Sequence, residues 1–268
     1  MVKGEIKTLY ELLSLRGRRI LITGAAMGIG RAIAYRMAEA GADLELVDIN
    51  RRELKKAKDN ILEKFSVEVN THVVDLSSRE EIAELWNGID REVDTLVNNA
   101  GVYLFKDFLE VDEEFLRKVM DVNLTAAFWM SQEIVKRRKK KGGVIINIGS
   151  IEAILPFAQG LVHYDISKMG IIALTRALAR EYGGMGYRVN AIIPGGIRTG
   201  GVKKLEREAA MKLNVNLIKT AINFKSRLPL RRFGEPDEVA RMAVVLASEL
   251  SSYVTGAMIP VDGGFLSS

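Results

Sequence analysis

The chain has no cysteine among its 268 residues, which excludes disulfides, thiol nucleophiles, thiolate metal sites and iron–sulfur clusters together. Its two histidines, His72 and His163, are too few and too far apart for an ordinary zinc site, so no metal centre is expected, although an all-oxygen site for magnesium or calcium stays open. No uncharged apolar run approaches the ~18 residues that would indicate a membrane span. Charges interrupt the amino terminus, Met1-Val2-Lys3-Gly4-Glu5, so a secretory leader is not expected either, and a cytoplasmic location is the default. Proline is also scarce, five residues in all, and no Pro/Gly-rich linker divides the chain.

Hydrophobic residues make up 48% of the chain, ample for a sizeable core. The sequence pI of about 9.3 invites a nucleic-acid reading. The excess charge, however, sits in one run, Lys136-Arg137-Arg138-Lys139-Lys140-Lys141, and removing those six charges from the net +5 leaves −1. A broad phosphate-binding surface is therefore not expected. Cations at the end of a long helix complement its negative terminus in water; a contact with an acidic partner is the competing reading of the run.

Short runs rich in Val, Ile and Leu alternate with amphipathic stretches for almost the whole length, which predicts a parallel sheet covered by helices on both faces. The seven strand candidates are 19–23, 43–48, 70–75, 95–98, 144–149, 188–193 and 258–261. Helices are expected over about 28–40, 51–64, 78–89, 112–140, 164–182 and 236–248, with Pro236 near a helix start, where its missing N–H costs little. Residues 1–14 read as an amphipathic extension with Ile6, Leu9, Tyr10 and Leu13 on one face, packing on the body or on a neighbouring subunit. Residues 15–268 then form one domain. Within it, 200–227 interrupts the strand–helix rhythm, either as a lid over a site or as a surface helix pair.

The first strand enters Gly24-Ala25-Ala26-Met27-Gly28-Ile29-Gly30 and then a helix. Glycines there let the backbone turn sharply and approach a pyrophosphate, whose charge is favoured by the exposed N–H groups of the helix start. The spacing is Gly-x-x-x-Gly-x-Gly, and it lacks the Gly-Lys-Ser/Thr ending of a phosphoryl-transfer loop. Asp48 closes the second strand, where a carboxylate accepts hydrogen bonds from an adenosine ribose and repels a 2′-phosphate, favouring NAD over NADP. Arg51 and Arg52 just beyond weaken that preference somewhat. Asp75, at the end of the third strand, either reaches the adenine amino group or serves a turn. Tyr164 and Lys168 lie four apart on a predicted helix, so a phenol and an ammonium can share one face. A nearby cation stabilises a phenolate and would lower its pKa, which points to proton transfer.

From Arg19 to Gly264 the chain resembles the short-chain dehydrogenase/reductase family, including its 3-oxoacyl carrier-protein reductases and sugar dehydrogenases. The matching residues are Thr23 to Gly30, Asp75, Asn98-Asn99-Ala100-Gly101, Asn123, Ser150, Tyr164-x-x-x-Lys168, Pro194-Gly195-Gly196-Ile197-Arg198-Thr199 and Val261-Asp262-Gly263-Gly264. One departure is a 14-residue step from Ser150 to Tyr164, a residue longer than in many members. The resemblance implies a three-layer, doubly wound Rossmann fold with a seven-stranded parallel sheet. It also implies a homotetramer, built on the long helix after the fourth strand and on the Tyr164 helix.

The activity it implies is hydride transfer between a nicotinamide cofactor and a secondary alcohol or ketone. Such a transfer develops charge on the carbonyl oxygen, which then needs a proton and hydrogen bonds. Tyr164 is the implied proton donor and acceptor, Lys168 the residue that lowers its pKa and holds the nicotinamide ribose, and Ser150 a hydrogen-bond donor to the substrate oxygen. Asn123 either holds a water that links the lysine to solvent or relieves a helix kink, and the two are compatible. Expected cofactor contacts are Gly24, Met27, Gly28, Ile29, Gly30, Asp48, Asp75, Leu76, Asn99, Tyr164, Lys168, Pro194, Gly195, Ile197 and Thr199, while Asn98 ties adjacent strands.

Fold and cofactor do not select the substrate. Glu152, Phe157 and His163 flank the tetrad; Glu152 and His163 would suit a sugar or polyol if they line the pocket, and are otherwise exposed loop residues. The segment Arg227 to Pro236 resembles both 3-oxoacyl reductases and sugar dehydrogenases and does not separate them. A different class of function, a dinucleotide-sensing scaffold that holds an acidic partner on the basic run, has no need of the four catalytic residues.

Overall fold

A computed structural model describes residues 6–200 and 224–268. Seven parallel strands form one sheet in the order β3-β2-β1-β4-β5-β6-β7. They are β1 (Arg19–Thr23), β2 (Asp43–Asp48), β3 (Val69–Val73), β4 (Thr95–Asn98), β5 (Gly143–Ile148), β6 (Tyr187–Pro194) and β7 (Met258–Val261). The order reverses between β1 and β4, which pair directly with Ile20 opposite Thr95 and Ile22 opposite Val97. Such a reversal opens a crevice at the carboxyl ends of those two strands.

Central strands of a parallel sheet are buried on both faces, and β1 is buried at every position. Ile20 and Ile22 join one core with α2 (Gly28–Glu39), α3 (Arg51–Leu62) and α8 (Pro236–Ala247). Leu21, pointing the other way, joins the opposite core with α4 (Arg79–Gly88), α6 (Ala126–Arg138) and α7 (Val162–Tyr182). A third cluster gathers Ile151, Phe224, Leu228 and Phe265 beyond β6, with Phe157 packed against it.

The element boundaries depart from expectation where the chain leaves the central sheet. Strand β3 lies at the edge and runs over 69–73 instead of 70–75, so Asp75 falls in the turn after it. Strands β5 and β6 each begin one residue earlier than expected, and β6 continues through Pro194. The single helix expected over 112–140 is three pieces: α5 (Glu113–Met120), a π-helical turn over Asp121–Thr125, and α6. Pro236 occupies the first turn of α8, whose start is closed by a reciprocal Glu235/Glu238 capping box.

Two terminal expectations have partial answers. Helix α1 (Leu9–Leu13) is capped by Thr8 and tied to the body by the Lys7–Glu249 ion pair at 2.6 Å. Only Leu13 of its apolar residues packs on the core; Ile6, Leu9 and Tyr10 are exposed. Residues 201–223, most of the expected insertion, lie outside the described residues. The cations at the end of α6 do serve that end: Arg138 donates to the Gly142 carbonyl and to Glu92, Lys141 pairs with Glu92 at 2.7 Å, and Lys136 with Glu133.

Backbone packing at the glycine turn is the tightest constraint near the crevice. A Cβ on Gly30 would collide with the Gly24 carbonyl oxygen and stand 2.5 Å from Asn99 Nδ2. Overpacking of this kind costs about 1–3 kcal/mol. Gly30→Ala is therefore expected to lower unfolding free energy by about that amount in urea titration; an unchanged midpoint would show that the turn has room to spare.

Candidate active site

The turn after β1 is held open by neighbours on both sides. Gly24 and Gly28 have φ of +64° and +57°, a left-handed region that favours glycine. Asp48 Oδ2 accepts the Ala26 N–H at 3.0 Å, while its other oxygen accepts the Asn50 N–H at 2.9 Å. Asn99 donates its amide to the Thr23 and Gly24 carbonyls. Thr23 Oγ1 accepts the N–H groups of both Asn99 and Ala100. Helix α2 then starts at Met27 with no side-chain cap, so the N–H groups of its first turn have no side-chain acceptor at that end.

An uncapped helix start behind left-handed glycines fits an anionic pyrophosphate. Across the crevice a Cβ on Gly28 would meet the Thr199 side chain at 3.5 Å, so the turn and the segment after β6 approach closely. That segment is itself anchored: Gly195 N–H donates to the Val261 carbonyl, Ile197 is buried and bridges Gly234, and a Cβ on Gly195 would strike Asp262. Asp75 accepts Ser77 N–H and Oγ in a tight turn beside buried Leu76, and its turn role is the one the contacts describe. Asn98 ties β4 to β5 through Asn147 at 2.8 Å.

Asn123 sits in the π turn and is 1% exposed. Its Oδ1 accepts the Val102 N–H at 2.7 Å, and its Nδ2 donates to the Val102 carbonyl and to Ser167 Oγ. Ser167 in turn donates to the Tyr164 carbonyl. A Cβ on Gly101 would lie 3.3 Å from Asn123 Oδ1 and 3.5 Å from Lys168 Nζ, so that glycine's bare Cα is what lets the two side chains share a wall. Lys168 Nζ donates to the Ile148 carbonyl at 2.9 Å. Ser150 lies two residues beyond β5, caps the 3-10 turn that follows by accepting the Glu152 N–H, and stands near enough to Tyr164 for its hydroxyl to favour the phenolate. The structure thus brings Asn123, Ser150, Tyr164 and Lys168 together at the carboxyl edge of the sheet.

The electrostatics differ from the spacing argument in one respect. Burial pushes the Tyr164 phenol up to about 12, against the lowering effect of the Ser150 hydroxyl. Burial likewise pushes Lys168 down to about 8. Lys168 Nζ stands 5.9 Å from the Tyr164 ring centre, and desolvation dominates the shift of each head. The lowered phenol expected from the i, i+4 spacing is therefore not found; both groups are shifted toward neutrality.

Glu152 and His163 are not exposed loop residues: each is 2% exposed. Glu152 lies in a 3-10 turn over Ile151–Ala153, and its Oε2 accepts the Phe157 N–H at 3.0 Å. His163 Nε2 is 2.7 Å from the Leu104 carbonyl, with its ring edge-on to Phe115. Tyr103, whose ring lies edge-on against Tyr164 at 4.8 Å, Ser167 and Asp165 are not among the residues expected from the sequence, while Thr23, expected only as part of the glycine motif, holds the N–H groups of Asn99 and Ala100. An aromatic just after Asn98-Asn99-Ala100-Gly101 is the available signal for Tyr103; Ser167 and Asp165 give none.

A seven-stranded doubly wound sheet with a Ser–Tyr–Lys–Asn group beside a glycine turn defines a nicotinamide-dependent oxidoreductase class. Residues 24–266 match the family described as enoyl-(acyl carrier protein) reductase. The chain is 35% identical over 257 residues to the 3-oxoacyl-[acyl-carrier-protein] reductase FabG of Aquifex aeolicus, covering 94% of this chain and 98% of that one. It is 35% identical to the 2-dehydro-3-deoxy-D-gluconate 5-dehydrogenase of Bacillus subtilis, covering 97% and 98%. A solved structure from Beutenbergia cavernae, assigned to an NAD(P)-dependent gluconate 5-dehydrogenase and bearing NADP at low occupancy, superposes with a TM-score of 0.87 at 34% identity, covering 96% of this chain and all of that one. The chain belongs to the short-chain dehydrogenase/reductase family and is an NAD(P)-dependent oxidoreductase acting on CH–OH groups.

One buried and one half-buried carboxyl make the stability of this region pH-dependent. Burial pushes Glu152 up to about 7, its hydrogen bond from Phe157 opposing, and pushes Asp165 up to about 6, with His163 opposing. Between the ordinary carboxylate range and those values the folded chain holds more protons than the unfolded one, so stability falls as pH rises. Glu152→Gln should flatten the decline between about pH 5 and 7 in urea titrations. An identical slope in the variant would mean that Glu152 titrates as an ordinary carboxylate.

Proposed function

We propose that Tyr164 is the general acid and base of this oxidoreductase, protonating the substrate oxygen in reduction and taking its proton in oxidation. The observation that carries this is the convergence of Ser150, Tyr164 and Lys168, with the Ser150 hydroxyl favouring the phenolate and Lys168 Nζ 5.9 Å from the Tyr164 ring centre, in a crevice whose other wall is the uncapped start of α2. The bound nicotinamide supplies or accepts the hydride. Ser150, beside the phenol, shares the substrate oxygen with it. Lys168 is cationic below about 8, so near neutral pH it favours negative charge developing on an oxygen next to it and can donate to a ribose hydroxyl. Asn123 is a positioning residue. Its amide is committed to Val102 and Ser167, so a water path from Lys168 to solvent at this point would run along the main chain of the π turn.

Gly24, Met27, Gly28, Ile29 and Gly30 hold the pyrophosphate in this reading. Asp48, Asp75, Leu76 and Asn99 line the adenosine side, and Pro194, Gly195, Ile197 and Thr199 the nicotinamide side. The Asp48 carboxylate, held at the turn by Ala26 and Asn50, disfavours a 2′-phosphate, so NAD is preferred over NADP. The substrate is a small secondary alcohol or ketone, either a sugar, a polyol or a 3-oxoacyl compound. The protein works in the cytoplasm as a homotetramer, with α6 and α7 as packing surfaces.

A coupled assay with NAD and NADP in parallel tests the core of this reading. Tyr164→Phe should reduce turnover by at least about 10³-fold while leaving NAD affinity within a few-fold, because only the proton path is removed; near-normal turnover would take Tyr164 out of the mechanism, and faster turnover with NADP would reverse the cofactor assignment. Light scattering at micromolar concentration should give four times the 29.7 kDa chain mass. A monomer would overturn the assembly.

A further inference from the structure

Five buried side-chain atoms among the described residues have no hydrogen-bond partner, and three of them cluster around Tyr164: Glu152 Oε1, His163 Nδ1 and Asp165 Oδ1. Burying an unpaired polar atom costs free energy, so such a cluster marks a place where something other than the protein completes the bonding. Glu152 is the member best placed for it. It follows Ser150 by two residues, and its N–H is fixed on Ser150 Oγ, while the Phe157 N–H fixes one carboxyl oxygen, with the Ala158 backbone also favouring the carboxylate, and the other oxygen has no donor. Its charge acts on both Tyr103 and Tyr164, whose rings are in contact, Tyr103 exposed and Tyr164 half-buried. No lysine or arginine pairs with it among the described residues, and the nearby Asp165 carries the same sign.

We propose that Glu152 is a substrate-binding residue whose free carboxyl oxygen accepts a second hydroxyl, next to the carbinol held by Ser150 and Tyr164, so that the site selects vicinal diols such as polyols and sugars. This rests on the assignment of Ser150 and Tyr164 to the reacting oxygen. A hydroxyl satisfies a lone acceptor by donating to it. The thioester carbonyl of a 3-oxoacyl compound offers only another acceptor, and two acceptors repel. A site built around one required hydroxyl discriminates far more sharply than an apolar pocket does, because the substrate lacking that hydroxyl leaves a buried group unpaired. Glu152 therefore separates the two substrate classes that the segment Arg227 to Pro236 leaves together.

The test measures kcat/KM at pH 8 for 1,2-cyclohexanediol, cyclohexanol and an acetoacetyl thioester with the intact protein. The wild-type chain should favour the diol over cyclohexanol. Glu152→Ala should lower the diol-to-cyclohexanol ratio by roughly 10- to 100-fold, chiefly through the diol KM, and Glu152→Gln by less, since an amide still bonds a hydroxyl. Equal losses on both alcohols would assign Glu152 to holding the Phe157 loop and overturn the proposal. So would a wild-type preference for the thioester, a result that needs no variant to fold. Turnover of cyclohexanol with no preference for the diol removes the subsite but leaves Tyr164 chemistry standing; with no turnover of any substrate, both fall.

Discussion

The carboxyl edge of the sheet depends on one buried amide. Asn123 reaches three polar atoms on two separate segments, the Val102 N–H and carbonyl after β4 and Ser167 Oγ on α7. Without Asn123 the half-buried Val102 N–H and carbonyl would lose these partners, at about 1 kcal/mol apiece, while Ser167 would keep only its bond to the Tyr164 carbonyl. A regular helix crowds its side chains at a fixed angle; the π turn over Asp121–Thr125 inserts an extra residue per turn, and Asn123 is the buried residue within it. The distortion is thus tied to the bonds it enables. Ser167 passes the constraint on by donating to the Tyr164 carbonyl, within the helical turn that carries both Tyr164 and Lys168. Of these bonds the one from Asn123 to Ser167 crosses from the π turn to α7, so it is the one that opposes rotation of α7 about its axis.

Burial sets the electrostatic character of the same edge. Tyr164 and Lys168 are each driven toward their neutral forms, and among the described residues no carboxylate pairs with the lysine; its hydrogen-bond acceptor is the Ile148 carbonyl. An ammonium that keeps its charge without a counterion attracts negative charge as it develops, whereas a pre-formed ion pair would already have spent that field. Glu152 and Asp165, both raised by burial, act on the phenol in the opposite sense and hold it protonated.

How far the sequence disclosed this arrangement follows from the kind of force at each place. Strands β1, β2 and β4, inside the sheet, have the expected limits, since apolar runs bounded by turns are read directly when both faces are buried. That logic does not reach the two half-exposed edge strands: β7 has the expected limits all the same, whereas β3 is shorter than expected and Asp75 belongs to the turn beyond it. The π turn was invisible: one added residue in a helix of almost thirty leaves the hydrophobic pattern nearly unchanged. Tyr164 and Lys168 were found by their spacing, yet the sign of the tyrosine shift was not, because spacing reports neighbours and not how much water surrounds them. Glu152 and His163 were left open as loop residues for the same reason. Their burial comes from segments around Leu104, Phe115 and Phe157, which only the tertiary fold brings near.

The two halves of the crevice also rest on different physics. The glycine turn works through backbone: left-handed φ at Gly24 and Gly28, the near-contact of Gly30 with the Gly24 carbonyl, and N–H groups at the start of α2. Backbone requirements of that sort restrict residue type severely, so they are written in the sequence as glycines at fixed intervals. The half proposed for the substrate rests on side chains that meet from distant segments, Tyr103 on Tyr164 and Glu152 on Phe157. Many residue types can occupy such positions, and what each does depends on which of its atoms the fold leaves without a partner. A nucleotide half legible from spacing and a substrate half legible only from unpaired atoms are what one fold requires if it is to keep a single hydride chemistry while meeting different alcohols.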